Sequence, residues 1–193
     1  MLKIAVGIPT IGAMSAKTTK SLMEMMNLPY EFIPIFQYGA YVSVNREHIV
    51  EAARKVKADY LLFIDHDMKF YNVTIDLLIK HNKDIVAALY NYRFQPITPM
   101  VKMFGHNGGV ILAKTKDIPD EPFKVAGIGM GCCLIKMSVF DKLGTPYFPM
   151  KYDEKGFVIR SEDIGFCEKA RDAGYDIWCD PTLSVGHVGE FIY

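Results

Sequence analysis

The chain has 193 residues, of which half are hydrophobic and 23% charged, with Lys plus Arg and Asp plus Glu both at 22. These values exclude a disordered chain and fit a single folded domain with a substantial core. The balanced charge provides no general field for nucleic acid or an anionic membrane, so any anionic ligand needs a local site.

The first apolar run, KIAVGIP (3–9), closes on proline and predicts a buried strand. The opening MLKIAVGIPTIGAMSA has the lysine and small-residue end of a weak signal peptide. Pro9 and Thr10 interrupt it, however, and a first strand explains it better. KTTKSLMEMMNL (17–28) has helical spacing, and YEFIPIF (30–36) reads as a second strand. SVNREHIVEAARKVK (43–57) puts Val44, Ile49, Ala52, Ala53 and Val56 on one helical face. Strand YLLFI (60–64) follows and ends in an acidic turn. NVTIDLLIKHN (72–82) predicts a helix capped by Asn72, and DIVAALY (84–90) a fourth strand. Apolar strands alternating with helices indicate a mostly parallel sheet with helices on both faces, an α/β fold of Rossmann-like type.

The pattern then changes. MVKMFGHNGGVILAK (100–114) predicts a hairpin turning at His106 to Gly109, and KVAGIGMGCCLIK (124–136) another extended run. A helix beginning near Ser161 and a strand around YDIWC (175–179) complete the chain. Cys132, Cys133, Cys167 and Cys179 form no CxxC pair, so they read as buried, reduced thiols of a cytoplasmic protein. No apolar run approaches the ~20 residues of a membrane span.

Asp65 and Asp67, in FIDHD, stand just past the third strand, where open parallel sheets bind ligands. Two adjacent carboxylates repel one another unless a positive charge lies between them. In an extended turn residues i and i+2 point the same way and could share one ligand, while His66 between them would point away. Hard oxygen ligands of this kind suit Mg²⁺ or Mn²⁺; a solvated polar turn would use the same residues. Ser161 is a plausible cap for a helix whose first turn holds Glu162 and Asp163, whose charged forms the helix N-terminus favours. A carboxylate kept ionised in a cleft is a candidate general base. Late in the chain His187 stands in a Gly186–His187–Val188–Gly189 setting that allows close backbone approach.

FIDHD, SED and GYDIWCDPTLSVGHVG, in this order and spacing, resemble the GT-A fold glycosyltransferases, especially the family 2 type. VGIPT resembles that family's first strand, and GMGCCLIKMSVFDKLG (129–144) its acceptor-side strand and helix. VNREHIVEAA resembles its second-helix signature, with Asn45–Arg46 where the family usually has Arg before Asn. The resemblance covers nearly the whole chain. It implies one GT-A-like domain over 1–193, with a nucleotide-sugar half (1–100) and an acceptor and catalytic half (101–193). It also implies a nucleotide-diphosphate sugar donor, an unknown hydroxyl acceptor and a Mn²⁺ or Mg²⁺ cofactor. By resemblance, Pro9, Thr10 and Arg46 belong to the nucleotide site. Asp65 would contact the ribose or a metal-bound water, Asp67 and His187 would bind the metal, and Asp163, beside Glu162, would be the base. Displacement with inversion needs only one such base.

Arg93, in YNYRFQP (90–96), could meet phosphate or acceptor, or serve as a surface residue. PYFPMKYDEKGFVIR (146–160) reads either as an active-site lid or as a structured surface loop. Tyr147, Phe148, Tyr152 and Phe157 there could face a sugar or simply pack. The chain stops six residues after His187, short of the C-terminal extension many relatives use. Two other readings remain: a phosphohydrolase with Asp65 as nucleophile and Asp67 as acid/base, or a nucleotide-sugar or metal-binding module without turnover.

Overall fold

A computed structural model of the chain describes residues 1–105, 109–183 and 185–189. The first half runs β1 (Lys3–Thr10), α1 (Ala16–Met25), β2 (Glu31–Tyr38), α2 (Val42–Lys55), β3 (Tyr60–Ile64), β4 (Met68–Lys69), α3 (Asn72–Lys80) and β5 (Ile85–Ala88). There follow β6 (Val101–Phe104), β7 (Val110–Leu112), β8 (Phe123–Val125), β9 (Gly127–Ile128), β10 (Cys132–Lys136) and α4 (Met137–Leu143). The last elements are β11 (Lys151–Tyr152), β12 (Val158–Arg160), α5 (Glu162–Asp172), β13 (Ile177–Asp180) and β14 (Gly186–His187).

The central sheet has seven strands in the order β2-β1-β3-β10-β5-β13-β8. Five strands share one direction and only β10 and β8 oppose them, so the sheet is mostly parallel, as expected. Alternation along each strand divides the apolar side chains between two covered faces. Leu61, Phe63, Ile85 and Cys133 join Ile49 and Ala53 of α2, Val139 and Phe140 of α4 and Phe166 of α5. Leu62, Ile64, Val86 and Cys132 join Met25 of α1 and Ile75 and Leu78 of α3. All four cysteines are free and buried. Burial pushes the thiols of Cys132, Cys167 and Cys179 up to about 12, so they are inert at neutral pH. Among the described residues no helix is long and apolar enough to cross a membrane.

Several local expectations are corrected, and others that were open between two readings are decided. The run 124–136 is not one strand: β8 joins β13, β9 joins β6, and β10 inserts between β3 and β5. Its glycines permit this path, since a Cβ on Gly129 would stand 2.2 Å from the Tyr90 hydroxyl oxygen. Val44 is exposed, because the buried stripe of α2 runs through Asn45, Arg46, Ile49, Val50 and Ala53. Tyr71 holds the cap position of α3, and the Asn72 side chain only accepts from the Val73 amide, at 2.8 Å. Tyr147 and Phe148 are core residues, with Phe148 stacked on Phe166 at 5.1 Å. The rest of that segment forms the β11–β12 hairpin, with Tyr152 and Phe157 exposed. β6 and β7 pair as the predicted hairpin, while His106 and its next two neighbours lie outside the described residues.

Candidate active site

β1, β2 and β3 are parallel, so their carboxyl ends meet at one edge of the sheet. A cavity of about 240 Å³ opens there, lined by six of the predicted residues: Pro9, Thr10, Asp65, Asp67, Arg93 and His187. Thr10 shapes the rim locally, donating to the Ala13 carbonyl at 2.9 Å and accepting from the Gly12 amide at 3.0 Å.

The acidic segment is a closed turn rather than an extended one, for the Met68 amide donates to the Asp65 carbonyl at 3.2 Å. Both carboxylates still border the cavity, and so does His66, which the extended turn would have pointed away. β14 brings His187 to this turn. It pairs antiparallel with β4, setting His187 opposite Met68, and the Val188 amide donates to the Asp67 carbonyl at 2.7 Å.

One carboxylate oxygen of Asp67 gathers the charge. Arg93 Nη1 lies 2.7 Å from Asp67 Oδ2, and His187 Nε2 lies 3.4 Å from the same atom. Burial alone would raise the Asp67 carboxyl, but the His187 ring and Arg93 outweigh it and hold it below its ordinary value. His187 Nδ1 is 3.0 Å from the Asn91 carbonyl oxygen, which can only accept. Nδ1 therefore carries a proton; burial alone would lower the His187 ring, but Asp67 and the Asn91 carbonyl outweigh it and raise it, so Nε2 favours a proton toward Asp67, and only the ring that has lost that proton offers Nε2 to a metal.

Asp65 meets a different cation. Arg46, with only 4% of its side chain exposed, donates from Nη2 to Asp65 Oδ1 at 3.1 Å, and its Nε lies 3.5 Å from Glu162 Oε1. Its guanidinium also sits over the Phe63 ring, 5.4 Å from the centroid. Arg46 thus stands behind Asp65 and does not line the cavity; its neighbour Asn45 does. Asn45 Nδ2 donates to the Gly39 carbonyl at 2.9 Å, and a Cβ on Gly39 would come within 2.4 Å of Asn45 Oδ1. Only glycine allows that approach.

Glu162 and Asp163 open α5, with Ser161 in the cap position. The Ser161 hydroxyl does not cap the backbone; it donates to Asp163 Oδ1, which also accepts the Ile164 amide at 2.7 Å. Burial raises the Glu162 carboxyl against the opposing pull of Arg46. Tyr90 ties the two acidic regions together. Its hydroxyl accepts from the Gly131 amide at 3.0 Å, and its ring meets His187 edge-on at 5.4 Å. Burial first, then the charges of Asp65 and Asp163, push the Tyr90 phenol well up. Asn45, His66, Gly39 and Tyr90 were not predicted as site residues. The flanking glycine of Gly39 and the strand-end place of Tyr90 were the only signals available.

Among the described residues no group of three or more His, Cys, Asp and Glu side chains is arranged to hold a metal. Asp67 and His187 supply two donors on one wall, and Arg93 pairs with the same Asp67 oxygen. A carboxylate and an imidazole suit Mn²⁺, whose remaining positions water and phosphate oxygens would fill. The residues present fit such an ion.

No protein-family model and no curated protein matches the sequence. Solved structures do. The crystal structure of A197 from STIV matches with a TM-score of 0.64 at 19% identity, over 98% of this chain and 87% of that one. The crystal structure of GalNAc-T7 with UDP, GalNAc and Mn²⁺ matches with a TM-score of 0.56 at 12% identity, over 99% of this chain and 44% of that one. Likeness at these identities concerns the fold, which is GT-A-like.

Proposed function

We propose that the chain is a metal-dependent glycosyltransferase that moves a sugar from a nucleotide-diphosphate donor to an acceptor hydroxyl, with inversion. The observation that carries the reading is the meeting of Asp67, Arg93 and His187 on one cavity wall at the carboxyl edge of a GT-A-like sheet. The neighbouring fold of GalNAc-T7 holds UDP, GalNAc and Mn²⁺, which supports the donor class and the metal.

In this reading Pro9 and Thr10 border the nucleotide, with Asp65 at the ribose or a metal-bound water. Asp67 and His187 hold Mn²⁺ or Mg²⁺, and Arg93 meets the diphosphate. The bound cation supplies charge neutralisation for the departing diphosphate. Arg46 has a supporting role, fixing Asp65 and Glu162 from behind. Glu162, buried against Arg46, is tied to the scaffold. Asp163, half-buried at the positive end of α5, has Oδ1 held by Ser161 and the Ile164 amide and offers Oδ2 to the acceptor's proton.

A thermal-shift screen of nucleotide sugars with Mn²⁺ identifies the donor, since a ligand of the native state raises Tm. Asp163→Asn should then bind that donor as the parent protein does and transfer ~10²–10⁴ more slowly. Wild-type turnover in Asp163→Asn, with turnover lost in Glu162→Gln, would exchange the two roles. Donor binding without transfer or donor hydrolysis in the parent protein would make it a binding module. Phosphate release without a sugar donor would make it a hydrolase.

A further inference from the structure

We infer that Arg93 is a movable partition of the donor site. In this structure it neutralises Asp67, and it passes to the diphosphate when donor and metal bind together. The inference rests on the donor-binding reading above and adds a coupling between the two ligands that the reading does not require.

Three observations carry it. First, the competition is for one atom. Asp67 Oδ2 takes Arg93 Nη1 at 2.7 Å and is also the oxygen that faces His187 Nε2. A divalent cation held by Asp67 and His187 would lie against the guanidinium, and two positive groups cannot share that oxygen without strong repulsion. Second, Arg93 is held loosely elsewhere. Its side chain is 51% exposed, and among the described residues its Nη1 has one further contact, to the Val188 carbonyl oxygen at 3.5 Å, long for a hydrogen bond.

Third, Arg93 separates two spaces. Beside the 240 Å³ cavity lies another of about 430 Å³, bordered by Ser15, Met14 and Gly189, and both have His66, Asp67 and Arg93 in their walls. The first cavity alone is smaller than the ~300–1,000 Å³ of ordinary small-molecule sites. Moving Arg93 off Asp67 joins the two along the wall that carries Asp67. The freed guanidinium needs an anion, and a diphosphate is the group whose geometry a guanidinium fork matches. A metal arriving alone must displace Arg93 into water. A metal arriving with a diphosphate gives Arg93 a new partner. Metal and diphosphate therefore favour one another's binding through this residue, and the coupling is reciprocal.

The test needs Mn²⁺ alone, titrated into the intact chain with free Mn²⁺ followed by electron paramagnetic resonance. Arg93→Met should bind Mn²⁺ about tenfold more tightly than the parent protein, within the range of ordinary coupling energies. Arg93→Lys, which keeps the charge, should stay near the parent value. Adding Asp67→Asn to Arg93→Met should abolish the gain, which assigns it to this carboxylate and not to a general change in charge. Thermal melts of all four proteins confirm that each is folded. Equal or weaker Mn²⁺ binding in Arg93→Met overturns the inference, as does a gain that survives Asp67→Asn. The proposed function fails separately: a tenfold gain in a protein that binds no nucleotide sugar would keep the partition and remove the donor. Normal sugar transfer with no gain would do the reverse.

Discussion

Asp65 and Asp67 stand on one turn, but their positive partners belong to different parts of the molecule. Asp65 faces Arg46, a residue of the buried stripe of α2 that also reaches Glu162 at the start of α5. Asp67 faces Arg93, half in solvent on the loop after β5, and His187 from β14. The first region is built like a core, with its cation desolvated, stacked on Phe63 and fixed by two acids. The second is built like a site, with a buried carboxylate whose cation can leave. A pair of acids in sequence therefore divides into an anchor and a working group, and the anchor holds the turn while the working group changes partners.

Removing the anchor should have the largest effect. Arg46→Met leaves Asp65 and Glu162 without their positive partner and should destabilise the fold by about 3 kcal/mol, measured by denaturant unfolding. That is the low end for such a loss, because Glu162 can take up a proton and Asp65 reaches the cavity. A change below about 1 kcal/mol would mean that the inner region is no more fixed than the outer. Tyr90→Phe should come next. It leaves the buried Gly131 amide unpaired at the join between the two regions and should cost about 1–3 kcal/mol. Arg93→Met should have the smallest effect on stability, within about 1 kcal/mol, because an ion pair whose cation is half exposed is screened by water and salt. A loss as large as that of Arg46→Met would erase the distinction between anchor and working group.

Much of this division lay beyond the reach of local pattern. The scaffold was legible where apolar runs are continuous: β3 forms at Tyr60–Ile64 as the sequence indicates, because a strand covered on both faces needs no polar alternation. The acidic turn was legible because two carboxylates after such a strand have no packing role. The partners of those carboxylates were not. Arg46 lies on a helix face where periodicity looks for an apolar residue, and the stripe becomes polar there because it approaches the site. Val44, one helical step off that stripe, was consequently misjudged. Tyr147 and Phe148 sit in a proline-containing, polar-looking segment, and only the packing of Phe140 and Phe166 against them reveals a core. The division of 124–136 among three sheet positions depends on Gly127, Gly129 and Gly131 passing close to Ile164 and Tyr90, contacts between residues far apart in the chain. His187 was the exception: a histidine among glycines near the end of the sequence does arrive beside the turn.

The most direct test of the site is calorimetry of nucleoside diphosphates titrated into the intact chain, once with Mn²⁺ and once with a chelator. Binding should depend on the metal, and an Asp67→Ala protein should remain folded but lose the metal-dependent part. Equal affinity with and without Mn²⁺, or unchanged metal dependence in Asp67→Ala, would contradict the proposed metal site.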